Sequence, residues 1–200
     1  MKNNHKPTLE LVPQQEGFLG IEEQYLENPL DAKVIVVPFG LEASVSYGAG
    51  TRAGPRAIIK ASHQVELFDE EHWCEVYRQF GVATLKEPII KNSIVDALDQ
   101  LEKITENILA LNKFPLILGG EHSITIGSIR PFVKKYPNLA ILHFDAHADL
   151  RDGYGGEHYS HAAALRRVMD HPISTLVSCG IRNISKDEIP YLEENKDRIK

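Results

Sequence analysis

Residues 139–145 read LAILHFD and run straight into AHAD at 146–149. The first seven are apolar almost throughout, too short for an ordinary helix, and end on a carboxylate. A run of this kind reads as a buried strand whose carboxyl end carries polar side chains. Three further runs share its character: Ala32–Pro38 (AKVIVVP), Pro115–Leu118 (PLIL) and Ile173–Cys179 (ISTLVSC). Val65–Asp69 is a further short candidate. Between the strands the apolar residues change to helical spacing. Ser93–Leu111 places Ile94, Ala97, Leu98, Leu101, Ile104, Ile108 and Leu111 on one face. Pro55 precedes a helical run at Arg56–Ser62, as proline often does at a helix start. Ser160–Met169 and Ser185–Asn195 also read as helices, and Ile124–Tyr136 as one interrupted or restarted near Pro131. Strands apolar on both faces, alternating with amphipathic helices, predict an α/β fold, doubly wound, with a parallel sheet covered on both sides. Residues 1–30, broken by Pro7, Pro13 and Pro29, read as an N-terminal arm lying on a domain that spans 31–200.

Composition narrows the function class. A chain with 42% hydrophobic and 25% charged residues has material for a sizeable core. Its net charge, 22 − 28 = −6, argues against a nucleic-acid partner and suits a small cationic one. Cys74 and Cys179 form neither a disulfide framework nor a zinc knuckle, which points to a reducing cytosol. The first residues lack a signal-peptide core, and no apolar run approaches the roughly 18 residues of a membrane span. The expectation is a cytoplasmic protein with no membrane association.

In open α/β sheets ligands bind beyond the carboxyl ends of the strands, and the chemistry-bearing residues fall there. Side chains alternate along extended backbone, so Asp145, His147 and Asp149 share one side if the chain stays extended. The PLIL strand ends in Gly119-Gly120-Glu121-His122-Ser123, where two glycines permit a tight turn and deliver His122 to the same sheet edge. Nitrogen and oxygen donors without thiolate suit a hard or borderline divalent ion. Manganese fits, and zinc, iron and nickel stay open. Two carboxylates in one cluster point to a pair of ions, which can acidify a shared water. DxHxD alone could be a polar strand end, and GGEHS alone a turn and helix cap; their joint occurrence favours metal binding.

His161, after a glycine-rich polar loop, could shuttle a proton to a leaving amine or simply end a helix. His158 is its local rival. His143 shares a side with Asp145 and reads either as an orienting partner or as a satisfied core histidine, and Glu121 has the same ambiguity. Cys179 reads as packing. For His5, His63, His72 and His171, surface or structural roles are the default.

These residues resemble the ureohydrolase superfamily of arginases, agmatinases and formiminoglutamases. PFGLEASVSYGAGTRAGPRAI, GGEHS, FDAHADLRD, YSHAAALRR and SCGIRN all look like family segments, and YSHA followed by LRR is closer to agmatinases. The resemblance implies a three-layer α/β/α fold with a mostly parallel sheet and two manganese ions. His122 and Asp149 would bind one ion, His147 the other, and Asp145 would bridge. Hydroxide would attack the guanidinium carbon of agmatine to give urea and putrescine, with Asp149 holding the hydroxide and His161 shuttling protons. Arginine and guanidinobutyrate are alternative substrates, and a homo-oligomer is expected. The family also has a later D-x-D-x-x-D-P motif. No DxD occurs in this sequence, so the resemblance is to a family domain shortened at its C-terminus, with Lys200 placed in the helix before the missing strand. A non-catalytic remnant is therefore the competing reading.

Overall fold

The computed structural model describes residues 7–21 and 28–200, so His5 and the parts of the expected arm at 1–6 and 22–27 lie outside the described residues. The chain divides into two units. The first comprises the described residues of Met1–Leu41 together with Gly50–Ile90 and Lys103–Gly120. Its strand β1 (Val34–Phe39) is the Val/Ile run read from the sequence. The helix α1 (Gly54–Ser62) follows, with Pro55 in its first turn. A hairpin of β2 (Phe68–Asp69) and β3 (Cys74–Glu75) and a single turn of helix, α2 (Tyr77–Phe80), lead to β4 (Val82–Thr84). The expected strand at Val65–Asp69 is thus only its last two residues, and β4, three residues long, carried too little pattern to be read. β1 lies between β4 and β5 (Phe114–Gly119), parallel to both. Ile35, Val36, Val37 and Phe39 are fully buried, because a central parallel strand is covered on both faces. Residues 10–12 run beside the end of β4, where Leu11 bridges Leu85 in antiparallel sense and Val12 N–H donates to the Thr84 carbonyl.

The second unit comprises Glu42–Ala49, Lys91–Glu102 and Glu121–Lys200. It takes the N-terminal half of α3 (Ile94–Ala110), where Ala97, Leu98 and Leu101 are fully buried. The helix α4 (Ile124–Lys135) runs through Pro131 without a break. Proline there removes only the bond to the Gly127 carbonyl, and the helix is held by the packing of its buried face, Pro131 included. The expected interruption is absent for that reason. β6 (Ala140–Phe144) pairs in parallel with β7 (Thr175–Cys179). Between them, a 3₁₀ turn at His161–Ala163 leads into α5 (Ala164–Met169); after β7, a second turn at Lys186–Glu188 leads into α6 (Ile189–Glu194).

Two further expectations are corrected here. The last residues are not helical: Ser178 N–H donates to the Lys200 carbonyl, Lys200 N–H to the Leu176 carbonyl, and Ile199 bridges Leu176 in parallel sense. The backbone beyond α6 therefore already runs as a strand beside β7. The β6–β7 sheet is also not covered on both faces. His143 and Leu176 are buried on one face, while Leu142 and Phe144, on the other, are 61% and 74% exposed. Strand hydrophobicity signals that a face can be buried and does not say what covers it. Among the described residues no helix is long and apolar enough to cross a membrane.

Candidate metal centre

Every residue expected at the centre belongs to the second unit. Gly120 delivers the first of them. Its φ is +20°, and a Cβ there would lie 2.5 Å from the Leu41 carbonyl oxygen, so a side chain at this turn is excluded by backbone. Glu121 and His122 follow, and α4 begins two residues later.

Asp145 leaves the end of β6 with its backbone N–H on the Cys179 carbonyl at the end of β7. From here the extended alternation does not continue. The chain bends at Ala146, whose carbonyl accepts N–H bonds from Arg182 and Asn183, and Asp149 adopts a left-handed backbone with φ +50°. Aspartate tolerates that region better than most residues. The turned Asp149 carbonyl accepts N–H bonds from Leu165 and Arg166 at the start of α5, and the buried Glu188 carboxylate takes the next N–H, that of Leu150. The loop after the motif is thereby tied to α5 and to the turn before α6. Convergence comes from this bend rather than from strand alternation.

The side chains meet as follows. His122 Nδ1 lies 2.6 Å from Asp149 Oδ2 and 4.0 Å from Asp145 Oδ2. His147 Nδ1 lies 3.4 Å from Asp145 Oδ1, which also accepts the His147 backbone N–H at 2.8 Å. His147 is the most open of the four, with a side chain 58% exposed. Thus Asp149 and Asp145 both reach His122, and His147 attaches through Asp145. His143 is nearer than the sequence alone could decide. Its ring stacks on His122 at 5.5 Å between centroids, its Nδ1 is 3.1 Å from Ser178 Oγ, and its Nε2 lies 3.6 Å from Asp145 Oδ2. Ligand atoms of His122, His143 and Asp145 fall within 4.8 Å of one another.

Electrostatics lowers the pKa of two groups here, Asp145 and His143. Burial opposes the charge on Asp145, but the His147 N–H bond and the nearby His122 and His143 outweigh it, so its pKa lies below the ordinary carboxylate value. Burial first, then the charge on His122, pushes the His143 pKa below the usual histidine value. Among the described residues His143 Nε2 is buried without a close hydrogen-bond partner, its nearest acid being Asp145 at 3.6 Å. A carboxylate and imidazole nitrogens gathered in one cluster fit a divalent cation.

His161 stands in a neighbouring network. Its backbone N–H donates to Ser44 Oγ at 2.9 Å and its Nδ1 lies 3.2 Å from the same oxygen. The Tyr154 ring meets the His161 ring edge-on at 5.9 Å. The rival His158 is engaged by the buried Arg167, which also binds Asp152. Of the two readings left open for Glu121, the structure shows a satisfied buried acceptor: Ala43 and Ser44 N–H bind Oε2 at 2.7 Å, and the Ser44 and Ser123 hydroxyls bind Oε1. Ser44 had no signal in the sequence beyond its place in the segment PFGLEASVSYGAGTRAGPRAI. Cys179 is a half-buried free thiol. His63 binds the Gly17 carbonyl and His72 pairs with Asp69 in the first unit.

The fold and the cluster define an α/β protein with parallel sheets and a His/Asp group of metal-ligating character at a strand end. A model of the arginase family matches residues 31–199, and the chain belongs to that family. Its likeness is to agmatinases in particular. The agmatinase of Bacillus cereus is 34% identical over 168 residues, which make up 82% of this chain and 57% of that protein. The N(1)-aminopropylagmatine ureohydrolase of Synechocystis sp. is 31% identical over 184 residues, covering 87% of this chain and 58% of that one. The crystal structure of a putative agmatinase from Clostridium difficile superposes with a TM-score of 0.77 at 25% identity, covering 86% of this chain and 63% of the other. The chain thus spans less than two thirds of the length of these relatives.

Proposed function

We propose that this chain carries a metal-dependent ureohydrolase site that hydrolyses a guanidino compound, with agmatine as the substrate and urea and putrescine as products. The observation that carries the reading is the meeting of His122, Asp145 and Asp149, with His147 joined through Asp145, from the two motifs GGEHS and DAHAD. The relatives named above as agmatinase and aminopropylagmatine ureohydrolase support the substrate class. The net charge of −6 favours a cationic substrate over an anionic one.

His122, Asp145, His147 and Asp149 would hold the metal, read as two manganese ions in a complete site. A bound divalent ion makes hydroxide available near neutrality by acidifying water. The chain's own groups do the rest. Asp145 and Asp149 bring negative charge that balances a cationic centre and orients it. His161 carries a proton toward the nitrogen of the departing amine as water adds to the guanidinium carbon and the carbon–nitrogen bond to the alkyl chain breaks. The free thiols Cys74 and Cys179 suit a reducing, cytoplasmic setting.

Urea release from agmatine, arginine and 4-guanidinobutyrate, measured with added manganese, tests the reading. Turnover of agmatine above the other two supports it, a preference for arginine replaces the substrate, and no urea from any of them overturns it. A second reading, metal binding without turnover, is favoured by one observation. Asp145 and Asp149 supply −2 against the +4 of two divalent ions. Metal uptake without urea release would select it.

A further inference from the structure

The hydrogen bonds around Ser44 fix more than its own position. The Ser44 hydroxyl has one proton and two lone pairs. Its proton goes to Glu121 Oε1 at 2.7 Å, because a carboxylate only accepts. One lone pair takes the His161 backbone N–H at 2.9 Å. The remaining contact, 3.2 Å to His161 Nδ1, then requires Nδ1 to be the donor. Glu121 cannot turn away to release this arrangement, since its second oxygen is held by the Ala43 and Ser44 N–H groups and its first also receives the Ser123 hydroxyl. It is 4% exposed.

We propose that Glu121 is a positioning residue that acts through Ser44 to make Nδ1 the donor of the His161 ring, so that the ring, when neutral, is the Nδ1–H tautomer and Nε2 is the nitrogen that exchanges protons. Its use in catalysis rests on the guanidino-hydrolase reading given above; the tautomer does not. The arrangement is not that of a serine nucleophile. In such a site the acid binds the histidine and the serine keeps its proton facing the ring, whereas here the acid binds the serine and every hydrogen-bonding position of its hydroxyl is taken. The relay also joins the two motifs of the site: Glu121 precedes His122 in the chain, so the turn that presents the metal-type histidine also sets the proton-carrying one.

Glu121→Gln makes a sharp test. The Gln carbonyl replaces Oε2 and keeps the two backbone N–H bonds, so its NH₂ falls at the Oε1 position and donates to the Ser44 oxygen. The Ser44 proton is then free to turn to His161 Nδ1, and the ring must switch to the Nε2–H form. Ser44→Ala, at a half-buried loop position, removes the acceptor instead and releases the ring to the Nε2–H form that a free imidazole side chain prefers. The readout is nitrogen NMR of the imidazole rings in the metal-free chain, with the His161 signals assigned by their loss in His161→Gln. Nδ1–H in the wild type, inverted to Nε2–H in Glu121→Gln and lost as the dominant form in Ser44→Ala, is the expected result. An Nε2–H ring in the wild type, or an Nδ1–H ring that persists in both variants, overturns the proposal. Absence of urea release would overturn the hydrolase reading and leave the tautomer result standing. With turnover present, both variants lower kcat with KM and metal content little changed, within the ~10²–10⁴-fold range of a mispositioned proton carrier.

Discussion

Gly127→Ala sets two effects of opposite sign against each other. Glycine inside a helix costs about 1 kcal/mol relative to alanine, so propensity alone predicts that the substitution stabilises α4. The structure predicts the reverse. A Cβ at Gly127 would stand 2.4 Å from the Leu98 carbonyl oxygen, 3.0 Å from its Cα and 3.1 Å from its carbonyl carbon, all backbone atoms of α3. Carbon–oxygen contacts need about 3.3 Å, so the two helices must separate there by about 0.9 Å. No rotamer change relieves a backbone obstacle, which puts the cost in the upper part of the ~1–3 kcal/mol found for overpacking. The net is a loss of about 1–2 kcal/mol, or roughly 2–8 °C in Tm at about 2–4 °C per kcal/mol for a chain of this size. Urea unfolding followed by circular dichroism measures it, with a lower midpoint at unchanged slope. Because α4 starts directly after His122 and Ser123, metal affinity is expected to fall with it. A Gly127→Ala protein as stable as the wild type or more so would refute the close-approach argument.

On the proposed function, Asp145→Ala is expected to abolish metal binding together with turnover, and His161→Ala to slow urea release at unchanged metal content, both read by elemental analysis beside the urea assay. Leu176→Ala, at a fully buried strand position, lowers stability by about 2–5 kcal/mol in denaturant unfolding. Glu102 accepts bonds from Lys134 at 2.6 Å and Arg130 at 3.0 Å, across α3 and α4. Burial opposes its charge, but Lys134 and then Arg130 hold its pKa below the ordinary 4.5. A depressed pKa means its stabilisation is complete above 4.5 and fades as pH falls through the lower folded value. The stability gap between wild type and Glu102→Gln, about 0.5–1.5 kcal/mol at pH 7, should therefore close in acid, and a gap independent of pH between 7 and 3 would contradict this.

Much of the architecture was legible because buried parallel strands carry their signal in every residue. Val34–Phe39, Phe114–Gly119, Ala140–Phe144 and Thr175–Cys179 all stand where their apolar runs placed them. Very short elements were not legible. β4 has three residues and the β2–β3 hairpin two on each side, which is below any readable period. The bend after Asp145 was hidden because DAHAD reads equally well as extended chain. What turns it is an N–H pair donated from Arg182 and Asn183, far along the sequence, and the left-handed backbone of Asp149. Glu121 and His143 were visible as candidates but not as partners, since their contacts are with Ser44 and Ser178, which nothing in the sequence pairs with them.

The central claim is that the Asp145 carboxylate and the imidazoles around it grip a divalent cation. Titration of the chain with manganese, following the free ion by electron paramagnetic resonance, tests it most directly against Asp145→Ala. The account predicts that the wild type withdraws manganese from solution and that the variant does not. Equal uptake by both, or none by the wild type, would contradict it.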